Sequence, residues 1–231
     1  MIKSMVVIPA YNEGKSIYNV IKSIQDCNIG VDIVVVNDGS KDNTYQEAMR
    51  AGATVINLPL NVGIGGAVQS GYIYGVENGY DTVIQLDGDG QHNPKDLPLF
   101  IQEIEKGEYD MVIGSRFVEK TNYKPSFFRK IGISFFSKVI SALTGERFTD
   151  TTSGYRAVNR KVMEVFAKDY PRDYPEPETI VYLKRNGFKI KEIPTQMNER
   201  KEGKSSITPI KSIFYMLKVT FCILLQNGKE V

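Results

Sequence analysis

Two carboxylates separated by a single glycine carry the most specific chemistry in the sequence. Asp87-Gly88-Asp89-Gly90-Gln91-His92 follows directly on the apolar run Thr82-Val83-Ile84-Gln85-Leu86. At the end of a buried strand, flanking glycines let the backbone turn so that both carboxylates converge. Adjacent carboxylates at such a rim repel each other unless a cation binds. Hard divalent ions prefer oxygen ligands, and Mg²⁺ is commonly shared between protein carboxylates and substrate phosphates. Asp87 and Asp89 are therefore candidate ligands of Mg²⁺ or Mn²⁺, with Gln91 as a further oxygen donor. A bare Asp-Gly pair also makes plain turns; the strand upstream is what favours the metal. His92, the only histidine, suits a supporting or structural role here as well as acid–base work.

Three other polar clusters follow apolar runs in the same way. Pro9-Ala10-Tyr11-Asn12-Glu13 follows Met5-Val6-Val7-Ile8; Tyr11 can stack near a base, and Glu13 suits a helix N-terminus. Asn37-Asp38-Gly39-Ser40 follows Ile33-Val34-Val35-Val36. An acid there can accept hydrogen bonds from a base or ribose, while Ser40 or Asp42 can cap a helix from about Asn43. Gly114-Ser115-Arg116 follows Met111-Val112-Ile113. Asn61-Val62-Gly63-Ile64-Gly65-Gly66 opens a helix and can pass close to a ligand at Gly65. It contains no Gly-Lys-Ser/Thr, and Val68 stands where a dinucleotide fingerprint needs its third glycine, so kinase-like and NAD-binding readings are poor.

These clusters need a scaffold that brings strand ends together. Short β-branched runs alternate with helix-compatible segments over 13–27, 42–51, 64–78 and 95–106, with a further strand at Thr54-Val55-Ile56. Continuous apolar strands separated by helices predict an α/β fold with a mostly parallel sheet covered on both faces. Ligands in such sheets bind beyond the carboxyl ends of the strands, where the clusters sit.

The 231 residues, 42% hydrophobic and 24% charged, exclude a disordered, collagenous or disulfide-scaffold chain and suit one domain. Two cysteines, Cys27 and Cys222, give neither a disulfide framework nor a zinc site and fit a reducing cytosol. The first residues lack the pattern of a signal peptide, and no run reaches the roughly 18 apolar residues of a membrane span. From Lys184 onward the chain carries 10 basic and 4 acidic residues, a net +6 against −4 before it. That basic tail suits an anionic partner or plain solubility. With the excess confined to the tail and no recognition module visible, a nucleic-acid enzyme is disfavoured.

Residues 125–145 place Phe128, Ile131, Phe135, Val139 and Leu143 on one helical face, with Arg129, Lys130 and Lys138 elsewhere. A second amphipathic stretch covers 207–225, with Lys211 and Lys218 on one side. Both are rich enough in Phe, Ile and Lys to lie in a membrane surface, and equally able to face a protein core.

The ordered set PAYNE, VVVNDGSKDNT, NVGIGGAVQSG, QLDGDGQHNP, GSRF and TSGYRA resembles the family 2 glycosyltransferases, in particular polyprenyl-phosphate transferases of the dolichol-phosphate mannosyltransferase type. The resemblance runs from about residue 3 to residue 206. It implies a GT-A fold, Rossmann-like, with C-terminal amphipathic helices, and an inverting sugar transfer under Mg²⁺ or Mn²⁺. One domain over 1–231 would then divide into a nucleotide-sugar half (1–115), an acceptor half (116–206) and an amphipathic segment (207–231). Carried over motif by motif, Pro9, Ala10, Tyr11, Glu13, Asp38, Gly65, Asp87, Gly88 and Asp89 would hold the nucleotide sugar. Asp87, Asp89 and Gln91 would hold the metal and diphosphate. Ser153, Gly154 and Arg156, with Arg129, would meet the acceptor, and Arg200, Lys204 and Ser205 would form a phosphate-binding segment.

The acceptor decides the chemistry. A lipid phosphate, largely dianionic at neutral pH, needs no base but does need cations, and Arg116, Arg129, Arg156, Arg200 and Lys204 are the supply. A hydroxyl acceptor needs a carboxylate base, for which Glu178 or Asp150 is the candidate. The expectation is transfer from a nucleotide sugar, a UDP-sugar for preference, to polyprenyl phosphate in cell-envelope polysaccharide or glycan assembly. Asp89, Arg116, Arg156, Arg200 and Glu178 would carry catalysis, on a chain peripheral to the inner, cytoplasmic membrane face. The alternatives are the same fold with a hydroxyl acceptor and a nucleotide-sugar-binding protein without catalysis. Some short members of the family work beside a small separate membrane protein, and with a single amphipathic stretch where many members carry transmembrane helices, the expectation is a partner of that kind, or a second copy of the chain.

Overall fold

The computed structural model describes residues 2–119, 127–172 and 175–198, and singly 218, 220 and 221. Seven strands form one sheet: β1 (Ser4–Ala10), β2 (Asp32–Asp38), β3 (Thr54–Leu58), β4 (Thr82–Gln85), β5 (Met111–Ser115), β6 (Arg156–Asn159) and β7 (Ile190–Pro194). Their order is β3-β2-β1-β4-β6-β5-β7. All pairings are parallel except those of β6, which runs antiparallel to both β4 and β5.

The α-helices among the described residues are α1 (Ile17–Gln25), α2 (Thr44–Arg50), α3 (Gly63–Glu77), α4 (Leu97–Glu105), α5 (Phe127–Thr144), α6 (Arg160–Lys168) and α7 (Pro175–Arg185). Each strand feeds two cores, because successive side chains point to opposite faces. Met5 and Val7 of β1 join Val68 and Tyr72 of α3, Phe136 and Ile140 of α5, Phe166 of α6 and Ile180 of α7. Val6 and Ile8 join Ile17 and Ile21 of α1, Ala48 of α2 and Phe100 of α4. That is why β1 is buried along its whole length and reads as an unbroken apolar run. Helix α1 buries Ile17, Val20, Ile21 and Ile24, the i, i+3, i+4, i+7 stripe of a helix lying on a sheet.

Helix α5 departs from the simplest reading of its amphipathicity. Ile133, Phe136 and Ile140 are the buried residues, whereas Ile131 is 45% and Phe135 37% exposed. The face read from the sequence is therefore the outward one at these two positions. Among the described residues, no helix is long and apolar enough to cross a membrane.

The chain moves outward from β1 to β2 and β3, then returns to the other side of β1 at β4. A sheet whose order reverses there opens a crevice at the carboxyl ends of β1 and β4. Ala10 and Asp87 lie at those two ends.

Candidate active site

The Asp-Gly-Asp turn is tied to the first strand end. Ser16 Oγ donates to Gly88 O at 2.8 Å and lies 2.8 Å from Glu13 Oε2, so one hydroxyl joins PAYNE to the turn. A Cβ on Gly88 would stand 3.5 Å from Pro9 O and 3.6 Å from Glu13 Cγ. Asp89 Oδ1 accepts the Gln91 N–H at 3.0 Å, which folds the turn back on itself. His92 props the same turn. Its Nδ1 accepts the Asp87 N–H at 3.1 Å, its Nε2 lies 3.7 Å from Asp87 Oδ2, and its ring stacks on Tyr155 with centroids 4.7 Å apart. An imidazole that accepts at Nδ1 carries its neutral-form proton at Nε2, which faces the carboxylate.

Asp87 keeps 40% of its side chain exposed at the rim. Among the described residues, no group of three His, Cys, Asp or Glu side chains is placed to hold a metal. Two carboxylates, with the remaining ligands supplied by substrate oxygens and water, is the donor set Mg²⁺ accepts when it bridges to phosphates. The site fits a shared divalent ion and not a closed protein cage.

The other residues expected to hold the nucleotide take more varied positions. Tyr11 is 47% exposed beside the β1 end. Asn12 has a left-handed φ of 56°; its N–H donates to Ser40 Oγ at 2.9 Å and its Oδ1 accepts from Lys41 N at 2.9 Å, joining the first two strand-end loops. Asp38 is buried, and its two carboxylate oxygens accept the Val62 and Gly63 N–H groups at 2.7 and 3.1 Å. It therefore caps α3, the glycine-rich helix, an arrangement that stabilises the helix N-terminus. Asp42 accepts from Thr44 N and so starts α2. Gly65 meets a close neighbour from within the chain: its N–H donates to Arg172 O at 3.0 Å, and a Cβ would stand 2.1 Å from Pro171 O.

Among the residues expected to meet the acceptor, Arg116 and Arg156 both bond the turn over 149–154. Arg116 donates to Asp150 from Nε at 2.5 Å and Nη2 at 2.6 Å, both residues being buried. Asp150, one of the two candidate bases, is thus engaged by a guanidinium. Arg156 is 2% exposed and donates to Ser153 O, Thr151 O and Thr179 Oγ1. It ties the turn to α7. A Cβ on Gly154 would stand 3.2 Å from Gln85 Nε2 and 3.3 and 3.4 Å from the two Asp87 carboxylate oxygens. Gln85 Nε2 and Thr151 Oγ1 are among the buried polar atoms without a hydrogen-bond partner.

Sequence reasoning singled out Glu178; a second carboxylate of α7, Glu176, lies in the electrostatic field of Asp87, Arg156 and Arg116. Burial pushes its carboxyl above the ordinary value, and the Asp87 charge pushes the same way, while Arg156 and Arg116 pull it down. Glu176 precedes Thr179 by three residues and so shares its helix face; Glu178, two residues along, is carried about 200° round the helix. That i, i+3 relation to a residue bonded to Arg156 is legible only once Arg156 is placed. Arg129 belongs to α5, whereas Arg200, Lys204 and Ser205, with the stretch 207–225, lie outside the described residues save three single positions.

The model of the family described as Glycosyl transferase family 2 matches residues 5–166. A UDP-N-acetylglucosamine–dolichyl-phosphate N-acetylglucosaminyltransferase of Methanococcus voltae is 32% identical over 97% of this chain and 96% of its own length. A polyprenol monophosphomannose synthase of Mycolicibacterium smegmatis is 29% identical over 89% of this chain and 81% of its own. Among solved structures, glucosyl-3-phosphoglycerate synthase of Mycobacterium tuberculosis, crystallised with Mn²⁺, UDP and phosphoglyceric acid, superposes with a TM-score of 0.70 at 21% identity, over 97% of this chain and 78% of that one. That likeness shows the GT-A fold.

Proposed function

The chain belongs to glycosyltransferase family 2 and is a glycosyltransferase, and from that premise we propose that it transfers one sugar from a nucleotide sugar to a polyprenyl phosphate. The observation that carries the reading is the packing of the 149–154 turn against Asp87, which sets an acceptor-side surface directly beside the candidate diphosphate ligands. The donor's diphosphate would lie over Asp87, Asp89 and Gln91. These residues would hold a divalent ion, which would supply charge neutralisation for the departing nucleoside diphosphate. An oxygen of the lipid phosphate attacks the anomeric carbon from the face opposite the departing diphosphate, and the bond from that carbon to the diphosphate oxygen breaks. A largely dianionic phosphate gives up no proton in this step, so Asp150 is free to remain paired with Arg116.

A UDP-sugar donor is favoured by the relative named for UDP-N-acetylglucosamine and by the structural neighbour that binds UDP. A peripheral position at the cytoplasmic membrane face is supported by the outward Ile131 and Phe135 of α5, with Lys130 and Lys138 near them for anionic lipid. A small membrane protein partner belongs to the same proposal.

One observation favours a second reading, with a hydroxyl acceptor: Glu176 lies within electrostatic reach of Asp87 and Arg156 and has a raised carboxyl, as a general base requires. Glu176→Gln separates the two. With Mn²⁺, UDP-sugars and polyprenyl phosphate, the phosphate reading expects kcat to stay within about threefold, whereas loss of a base lowers it by roughly 10²–10⁴-fold. Failure of any nucleotide sugar to raise the thermal midpoint in the presence of Mn²⁺ would overturn both readings.

A further inference from the structure

The 149–154 turn is held from beneath by a residue that neither motif nor spacing points to. Glu192 lies on β7, beside β5 in the sheet, with Ile113 as its register partner. Its Oε1 accepts the Asp150 N–H at 2.6 Å, and its Oε2 accepts the Thr149 N–H at 2.8 Å and the Thr149 hydroxyl at 2.9 Å. The Thr149 hydroxyl also meets Ser115 Oγ at 2.7 Å. Both oxygens of one partly buried carboxylate are thus spent on consecutive backbone amides of the turn. From above, Arg116 grips the Asp150 side chain and reaches Thr152 Oγ1 at 3.0 Å. At the far end of the turn, Gly154 abuts the Asp87 carboxylate.

We propose that Glu192 is a positioning residue for sugar transfer: by fixing the Thr149 and Asp150 amides it sets where Arg116 and Gly154 stand relative to Asp87, and so where the acceptor meets the donor. The inference rests on the transferase reading above. It also assigns Arg116 to the turn's architecture through Asp150. Carboxylates bonded to backbone amides make strong, oriented contacts, and residues behind the reacting groups matter because small misplacements are costly: about 1 Å can cost roughly 10²-fold in rate.

The test compares Glu192→Gln and Glu192→Ala with Glu103→Ala. Glu103, buried on α4, bonds Lys106 and Lys191 at 2.7 Å each; Lys191 and Glu192 are neighbours on β7 and point to opposite faces of the sheet, so loss of Glu103 is a structural control on the face away from the turn. Steady-state kinetics use UDP-sugar, Mn²⁺ and polyprenyl phosphate; nucleotide binding is read separately by thermal shift with UDP and Mn²⁺. The expected result is a fall in kcat of about 10- to 100-fold for Glu192→Ala and a smaller fall for Glu192→Gln, which keeps one acceptor oxygen, with donor KM within twofold. Glu103→Ala should keep its kcat. If folded Glu192→Gln and Glu192→Ala retain wild-type kcat and acceptor KM, the positioning role is wrong. Should Glu192→Ala fail to fold, Glu192→Gln alone decides on the same criterion. Loss of nucleotide binding by the wild type would instead overturn the transferase reading itself.

Discussion

Arg116 and Asp150, 34 positions apart in the chain, form a two-pronged ion pair with side chains 3% and 0% exposed. A cation foreseen as a ligand for acceptor phosphate and a carboxylate foreseen as a base thus meet each other. Removing one partner of such a pair leaves a buried charge and costs about 3–5 kcal/mol, whereas replacing both with apolar groups is far milder. Arg116→Met and Asp150→Leu should each lower the urea midpoint strongly, and the double variant should recover much of the loss. Strict additivity of the two single effects would show that the pair is not coupled.

The apolar strands, their polar carboxyl ends and the Asp-Gly-Asp turn were readable because each is a local pattern. β1, β2 and β5 run on past the β-branched cores that announce them, since Pro9-Ala10, Asn37-Asp38 and Gly114-Ser115 still pair. β6 escaped because Arg156-Ala157-Val158-Asn159 is short and carries a buried arginine. Its antiparallel course, with Gln85 opposite Arg156, is what carries the 149–154 turn to Asp87. Asp38 shows the same limit. Its place at a strand end was plain, but its acceptance of N–H groups from residues 62 and 63 depends on how a distant loop returns. Glu192 and Glu176 gave no local signal at all, being defined by which turn and which guanidinium they face.

Two glycines with opposite surroundings test the packing of α3 and α5. A Cβ at Gly65 would meet Pro171 O at 2.1 Å and Arg172 O at 2.4 Å, whereas one at Gly132 would meet nothing within 4 Å. Gly65→Ala should destabilise by about 1–3 kcal/mol through forced displacement of rigid backbone. Gly132→Ala should stabilise by about 1 kcal/mol, because alanine loses less entropy than glycine in a helix. Chemical denaturation measures both, and equal signs would mean that the close approach of residues 171–172 to α3 is wrong.

Burial and the nearby Asp87 charge raise the Glu176 carboxyl above its ordinary 4.5, against the pull of Arg156 and Arg116. The folded state then holds this proton more tightly than the unfolded chain, so stability is fully present below pH 4.5 and declines as pH rises through the folded value. Glu176→Gln cannot ionise and lacks this decline. In protein free of metal and nucleotide, the thermal midpoint of the variant should gain on the wild type as pH is raised from acid toward neutrality. A constant difference across that range would contradict the raised value.

Ile131 and Phe135 lie one turn apart on the outer side of α5, while Ile133, Phe136 and Ile140 hold the helix to the core. Their removal can therefore weaken an external contact without opening the fold. Burying two such side chains in a membrane interface is worth about 1.5–3 kcal/mol each, and two glutamates would add repulsion from anionic headgroups. Ile131→Glu combined with Phe135→Glu should reduce flotation with anionic vesicles by at least about tenfold. The same variant should keep its thermal shift with UDP and Mn²⁺, because the strand-end site is built on other elements. If flotation of the double variant matches the wild type while both remain folded, α5 is not the surface through which the enzyme meets lipid.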